Sequence, residues 1–503
     1  MNPHPLIALT LRVLTLLALS ALAAPTQAGD RPEGYDRWYA IQIRGESAGW
    51  MHSRQVVTGE RVDSTTVMKL SMSRGALTID VEMTSAFSET IDGKPLSMRT
   101  IQQLGAQPTE TEYTFTDDAL IARTTQGGRA LEATLALPTG AWLTPAQAER
   151  YVAKRMDAGA ESISVRTIEP LSGPAPITVT RSDFVEEKLT LDGQTYDAIR
   201  TNVTSSSTPG LTTTEYLDQE GSIIKTSVSM GGIPIDMLLA DASVARGQLD
   251  APELMVSTFV RPDRPITRPR DQRRAVYRVT GPPATLKEIP STAAQRARAI
   301  EPGVVEVTVD EDNPATANAE QLRDPVWLDS SAYINAEDTL IRALAEQAVT
   351  NAGKNRAKRA EAMRRFVFRH INRKNLGVGF ATAAEVARTR EGDCSEHAAL
   401  LAALLRADGI PARVAAGLIY ADRFAGAQDI FGFHMWTQAL LTDEEGELRW
   451  VDLDATLPDR TPFDATHITL SVSALAQGEA HNALSSIAPL LGTLSIEVVE
   501  TSP

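Results

Sequence analysis

Cys394 is the one cysteine among 503 residues, and a lone thiol cannot pair within its own chain. It reads either as a small buried hydrophobe or as a nucleophile. The surrounding run is Arg390-Glu391-Gly392-Asp393-Cys394-Ser395-Glu396-His397, followed by an apolar stretch from Ala398 to Leu405 and then Gly409 and Pro411 as stop signals. Asp393 as N-cap, with Glu396 three residues on, resembles a capping box, so a helix should start at the thiol. Unpaired N–H groups and the positive end of the helix dipole meet in that first turn and favour thiolate over thiol. Because Ala398 to Leu405 has no polar face, the helix should be buried all round and deliver its first turn to an internal cleft.

A nucleophilic cysteine needs a base, and the chain has seven histidines. His4 falls in the N-terminal apolar segment, His52 lies in a strand-like region, and His370, His467 and His481 lack supporting patterns. His434 stands in the strand-like run Phe433-His434-Met435-Trp436-Thr437-Gln438-Ala439-Leu440. A second run, Leu448 to Thr456, follows Asp443-Glu444-Glu445-Gly446, so the two read as a hairpin. His397, one helical turn beyond Cys394, is better placed to pack or to hydrogen-bond along its own helix than to accept the thiol proton. A metal site made of Cys394 and His397 would lack the second ligand pair of a zinc signature. No metal and no cofactor is expected.

Four motifs occur in order: Gly392-Asp393-Cys394 opening a helix, Gly409-Ile410-Pro411-Ala412-Arg413 after it, His434-Met435-Trp436, and Trp450-Val451-Asp452-Leu453-Asp454-Ala455-Thr456. Together they resemble the bacterial transglutaminase-like superfamily over about residues 335 to 460. The resemblance implies a papain-like fold and a triad with Cys394 as nucleophile, His434 as base and Asp454 as orienter. Asp454-Ala455 stands where relatives often have Asp-Pro, a mild departure. The resemblance further implies a thioester on Cys394, released either to water by a peptidase or amidase or to an amine by a cross-linking protein-glutamine transferase. Exported bacterial relatives lean toward hydrolysis. The alternative of another class is a catalytically silent module whose β-rich part binds a ligand or partner. The presence of Cys394, His434 and Asp454 together counts against it. The Cys394 backbone N–H is the oxyanion donor the sequence offers.

Which carboxylate orients His434 depends on the hairpin, because Trp450, Asp452 and Asp454 alternate onto one face of their strand. A three-residue loop Glu444-Glu445-Gly446, with Gly446 left-handed, pairs Asp443 with Glu447 and therefore Trp436 with Asp454. Asp454 is then one diagonal step from His434. Asp452 pairs with Gln438, about 13 Å along the strand from His434 at ~3.3 Å per residue. A two-residue loop would invert these faces.

The elements that position these groups fall into an α+β plan. From Arg37 to about Met230 the sequence is strand-like, as in Leu77, Ile79, Val81 and Met83 alternating with Thr78, Asp80, Glu82 and Thr84. Turn signals at Asp92-Gly93, Asp117-Asp118, Asp192-Gly193 and Glu220-Gly221 predict antiparallel hairpins in one large sheet. One helix interrupts it from Thr144-Pro145 to about Ala158, with Thr144 and Gln147 as a capping box. Between Pro262 and Arg274 the composition turns to Arg, Pro and Asp, the residues of an exposed linker. Two short strands, Ala275 to Thr280 and Val304 to Val309, and a solvated acidic loop around Asp310 to Glu320 follow as a connecting unit. Helical periodicity begins at Asp338, in runs Leu340 to Val349, Ala360 to Ile371 and Thr382 to Arg388. The expected organisation is a signal peptide over 1–28, a β-rich domain over 29–260, a linker and connecting unit over 261–330, a transglutaminase-like domain over 331–475 with the Cys helix packed on an antiparallel sheet, and a C-terminal extension over 476–503.

Lys plus Arg total 49 against 64 Asp plus Glu, a net charge of -15 that repels phosphate backbones and argues against nucleic-acid binding. In the first 28 residues Arg12 is the only charged side chain, an apolar run follows from Val13 to Ala24, and small residues close it at Ala21-Leu22-Ala23 and Thr26-Gln27-Ala28. That is the pattern of an export signal, and about 12 apolar residues fall short of the ~20 that span a bilayer, although an uncleaved anchor from Leu6 is a second reading. A periplasmic or secreted protein acting on a protein or peptide substrate is expected, with no integral membrane segment once the signal is removed; the oligomeric state is not legible.

Overall fold

The computed structural model describes residues 34–503 except 75–76, 104–107, 127–128, 192, 209, 220, 231, 254–255, 287–288, 316–323, 375–380, 444–445 and 477–489. The N-terminal apolar segment, expected to be a signal peptide, and His481 lie outside the described residues. The chain forms two compact units that meet in sequence between Pro252 and Glu253. No described helix is long and apolar enough to cross a membrane.

The first unit is a 14-stranded antiparallel sheet. Strand order runs from Arg129–Leu135 at one edge back through each preceding strand to Tyr35–Ile43, where Ile233–Ala240 pairs and the order descends to Ser162–Thr167 at the other edge. Alternation along the strands separates the faces: Val81 and Met83 are buried, while Asp80 and Glu82 are exposed. The strands that flank all four turn signals pair as antiparallel neighbours, with Asp192 and Glu220 themselves outside the described residues. Ile168, just past one edge strand, packs with Phe87, Met98, Tyr113 and Leu120 from the opposite half, so the sheet curls over on itself around a shared core.

The helix Pro145–Asp157 forms where expected but is capped differently. Thr144 makes no side-chain cap and Gln147 reaches the carbonyl of Asp92 instead. The cap comes from another strand: Glu89 accepts from Thr144 Oγ1 at 2.6 Å and from the Ala146 N–H at 3.1 Å. A buried carboxylate gains more by collecting two donors than the threonine would by bonding locally. Glu149, on the same helix, is also buried and accepts from Tyr35 Oη at 3.2 Å and Gln55 Nε2 at 3.0 Å. Burial pushes its pKa up to about 8 against the pull of the Gln55 hydrogen bond. Burial likewise pushes Glu169 up to about 7, and the two carboxyls line a cavity of about 50 Å³ with Tyr35, Phe87 and Ile168.

The second unit holds two four-stranded antiparallel sheets and a set of helices. In one sheet the strands run Gln295–Glu301, Val304–Asp310, Arg274–Thr280 and Ser495–Ser502, so the end of the chain closes the connecting unit. The linker-like stretch before it is anchored rather than free: Arg270 donates to Asp464, and Gln272 is buried. In the other sheet the order is Leu448–Leu453, Ala427–Thr442, Ala412–Phe424 and His467–Ser473. Helices Thr339–Val349, Arg356–His370 and Ala383–Thr389 surround a fourth, Cys394–Ala407, which packs on this sheet. Every residue from Cys394 to Arg406 is buried, as its unbroken apolar run requires. Arg406 ends this helix buried, donating to the carbonyls of Asp329, Ala412 and Ala474. The α+β plan expected from the sequence, a large sheet followed by a Cys helix on an antiparallel sheet, is the one observed.

A carboxyl whose folded pKa stands above its ordinary value of 4.5 contributes stability that is complete below that value and lost as pH rises through the folded pKa. The thermal transition that melts the first unit should therefore fall between about pH 5 and about pH 8. Glu149→Gln, neutral throughout, should shrink that fall, which calorimetry of both full-length proteins at the two pH values measures.

Candidate active site

Cys394 is the first residue of its helix. Asp393 and Glu396 form a complete capping box, with the Glu396 side chain accepting from the Asp393 N–H at 3.0 Å. Glu396 also accepts from the Ala381 N–H at 2.9 Å, tying the first turn to the segment before Ala383–Thr389. Gly392 is part of the device: its φ is +146°, and a Cβ there would lie 2.3 Å from the Glu396 Cβ. Cys394 itself is buried and not in a disulfide. His397 is committed elsewhere, since its Nδ1 bonds the Asp393 carbonyl and burial drives its pKa down to about 4. That setting suits packing along the helix better than a role as base.

The helix is pinned to the strand that carries His434 by a hydrogen bond from Thr437 Oγ1 to the Ala398 carbonyl at 3.0 Å.

His434 and Asp454 are brought together by the hairpin. Thr437 pairs with Leu453, Gln438 with Asp452 and Thr442 with Leu448, the register of a three-residue turn. Gly446 has φ +87°, the left-handed residue that turn demands, while Glu444 and Glu445 lie outside the described residues. His434 Nε2 donates to Asp454 Oδ2 at 2.8 Å, and neither side chain is exposed. His434 Nδ1, on the opposite edge of the ring, has no hydrogen-bond partner among the described residues. Asp452 takes another part: it accepts from Trp436 Nε1 and Gln438 Nε2, both at 2.8 Å, and from the Ala294 N–H at 3.2 Å, joining the hairpin to the connecting unit.

Asp454 has two further sets of partners. Its Oδ1 accepts from Thr456 N–H and Oγ1, both at 2.7 Å, and its Oδ2 lies 3.3 Å from His467 Nε2. Burial raises the Asp454 pKa, but the two histidines outweigh it and hold the carboxyl well below its usual range. Burial lowers the His434 pKa, with Asp454 opposing and His467 adding to the fall. The His434 pKa therefore stands below the ordinary imidazole value of 6.5. His434, Asp454 and His467 present ligand atoms within 4.8 Å of one another, the one such group among the described residues. Two histidine nitrogens lie on one Asp454 oxygen and the Thr456 N–H and Oγ1 on the other.

Residues 342–455 match the model of the transglutaminase-like superfamily core. The C-terminal region is transglutaminase-like. A comparison with curated proteins found no match. Among solved structures, a β-barrel-like protein of a domain of unknown function from Brucella abortus is similar at TM-score 0.32 and 9% identity, over 42% of this chain and 97% of its own. A candidate cysteine protease from Cytophaga hutchinsonii is similar at TM-score 0.27 and 16% identity, over 46% of this chain and 86% of its own. The periplasmic domain of TgpA from Pseudomonas aeruginosa, bound to ethylmercury in that structure, is similar at TM-score 0.27 and 17% identity, over 39% of this chain and 88% of its own.

Sequence reading of the transglutaminase-like region passed over His467, Asp464 and Thr456. Thr456 had a signal, an Asp-x-Thr spacing that lets a carboxylate accept from the residue two positions on. His467 and Asp464 had none, because the pairing of the His467 strand with a neighbour brings His467 to Asp454, and Asp464 reaches it only through His467.

The two aspartates should separate on mutation. Asp454→Asn should slow alkylation of Cys394 at about pH 7 by at least about tenfold, since it removes the carboxylate that holds the His434 ring. Asp452→Asn should lower the melting temperature and leave the rate within about threefold, because its contacts are those of a structural brace. Iodoacetamide kinetics and thermal melts on both variants test this, and the reverse pattern would refute the register argument.

Proposed function

We propose that the chain is an exported cysteine enzyme that opens amide or peptide bonds by acyl transfer through a thioester on Cys394, with water as the final acceptor. The observation that carries this reading is the state of His434. Asp454 only accepts, so the proton sits on Nε2, and Nδ1 keeps a lone pair with no partner among the described residues. That is the tautomer a general base requires. Nδ1 takes the thiol proton as Sγ attacks the carbonyl carbon, and the Cys394 N–H at the helix start faces the oxyanion. The proton then passes to the leaving amine as the C–N bond breaks. Water attacks the thioester while Nδ1 accepts its proton, the acid departs, and the proton returns to sulfur. Asp454 keeps the ring oriented and meets the imidazolium charge while it lasts.

Water is favoured over an amine as acceptor because it reaches any thioester without a second binding site. The apolar N-terminal segment with its small-residue close supports export to the periplasm or beyond. The transglutaminase-like match supports a protein or peptide as substrate.

Cys394→Ala should abolish turnover and leave the fold unchanged, since it removes the nucleophile and little packing volume. A library of thiol-reactive amide and peptide probes, with labelling mapped to Cys394, identifies substrates on which to measure this. Equal turnover by the variant would refute Cys394 as the nucleophile, and no labelling of Cys394 by any probe would favour the silent-module reading. Because His434 stays neutral below its ordinary pKa of 6.5, activity should persist to lower pH than an unperturbed imidazole would allow, which a rate profile on the same substrate measures.

A further inference from the structure

We propose that His467 is a positioning residue charged through neutral pH, a buried imidazolium that clamps Asp454 and sets the acid limit of the Cys394 and His434 pair. The inference rests on the preceding reading of that pair as the reacting groups.

The hydrogen bonds decide the charge. His467 Nδ1 lies 3.0 Å from the Asp464 carbonyl oxygen and 3.4 Å from Asp464 Oδ1. Its Nε2 lies 3.3 Å from Asp454 Oδ2. A carbonyl and a carboxylate only accept, so both ring nitrogens must carry hydrogen. A neutral ring would aim a lone pair at an anionic oxygen where none of the three side chains is exposed. The surroundings support the cation. Phe463 stacks on the ring at 4.2 Å and Trp436 meets it edge-on at 5.3 Å. Asp464 is anchored in turn by Thr466 and by Arg270, whose side chain reaches solvent. Arg270, Asp464, His467 and Asp454 thus form a line of alternating charge that ends on His434. Other titratable groups in reach are Glu311 and Asp452, which sense the His467 charge, and Lys374 and His397, which sense Asp454. Burial lowers the His467 pKa, but Asp464 and Asp454 prevail and raise it to about 9.

The consequence falls on the neighbouring ring, whose centroid is 5.9 Å away. An aspartate alone would favour a protonated His434; a fixed cation behind that aspartate opposes it. Removing the cation raises the pKa for every proton the thiol and imidazole can lose together, whichever of the two loses it first. At this range, in an effective dielectric of about 20, the shift should be on the order of one unit or more.

The test is the pH dependence of Cys394 alkylation by iodoacetamide in the full chain. In His467→Gln the acid limb should move up by about one unit relative to wild type. An unmoved limb in folded His467→Gln overturns the proposal. His434→Ala run alongside separates the two inferences: if it leaves the wild-type profile unchanged, the pairing of Cys394 with His434 fails, whereas a profile altered by His434→Ala but not by His467→Gln sinks the present proposal alone. A second measurement needs no substitution at His467. In Cys394→Ala protein labelled with ¹⁵N-histidine, no thiolate can hold a proton on His434, and ordinary imidazoles are neutral at about pH 8. One imidazolium signal should persist there; its absence overturns the proposal even where His467→Gln does not fold.

Discussion

A carboxylate shut away from water must have its charge met by donors, or it protonates or disrupts its surroundings. Asp454 meets that demand with four: His434 and His467 on one oxygen, Thr456 N–H and Oγ1 on the other. These donors come from the strand Ala427–Thr442, the turn after Leu448–Leu453, and the strand His467–Ser473. The sheet and the carboxylate therefore specify each other. A one-residue slip in either pairing would turn a donor to the wrong face and leave a bare charge in a dry interior. The strand Ala412–Phe424 sets the spacing, pairing Gly417 with His434 on one side and Ile419 with His467 on the other.

The Cys helix is held to that frame from both ends. Its first turn is closed by Asp393 and Glu396, and its last by the Arg406 guanidinium on three backbone carbonyls. Between them lies a fully apolar cylinder with no preferred outward face, so specific polar contacts at the two ends fix its rotation and depth. Thr437 adds a contact one turn from the thiol. The result is a thiol carried on the first turn of a rigid element and a His434 ring that Asp454 holds in place, the rigidity that limits loss of geometry between encounters.

Carboxyls in the first unit show the contrasting solution to burial. Among the described residues, Glu149 and Glu169 have hydrogen-bond donors but no cation bonded to them, and burial raises both toward neutrality. Arg181 and Glu215, buried in the same unit, instead pair directly at 2.9 Å. Burial still raises Glu215 against the pull of Arg181, whereas at Asp454 the two histidines outweigh burial and hold the carboxyl low.

Local pattern was enough for the Cys helix, its capping box, the alternating strands of the first unit and the register of the His hairpin, because each depends on residues within a few positions of one another. The hairpin is the clearest case: Gly446 and the three-residue turn determine that Asp454, and not Asp452, comes beside His434. Tertiary structure alone decided the rest. Thr144 and Gln147 carry the spacing of a capping box, yet Glu89 from a distant strand takes the role, since a buried carboxylate outcompetes a hydroxyl for the same donors. His467 shows no motif at all; it becomes a partner of Asp454 only through the pairing of Ala412–Phe424 with strands on both sides. Sequence periodicity reports which face of an element is buried, but which charges share that interior depends on pairings between segments far apart in the chain, and those are set by the fold as a whole.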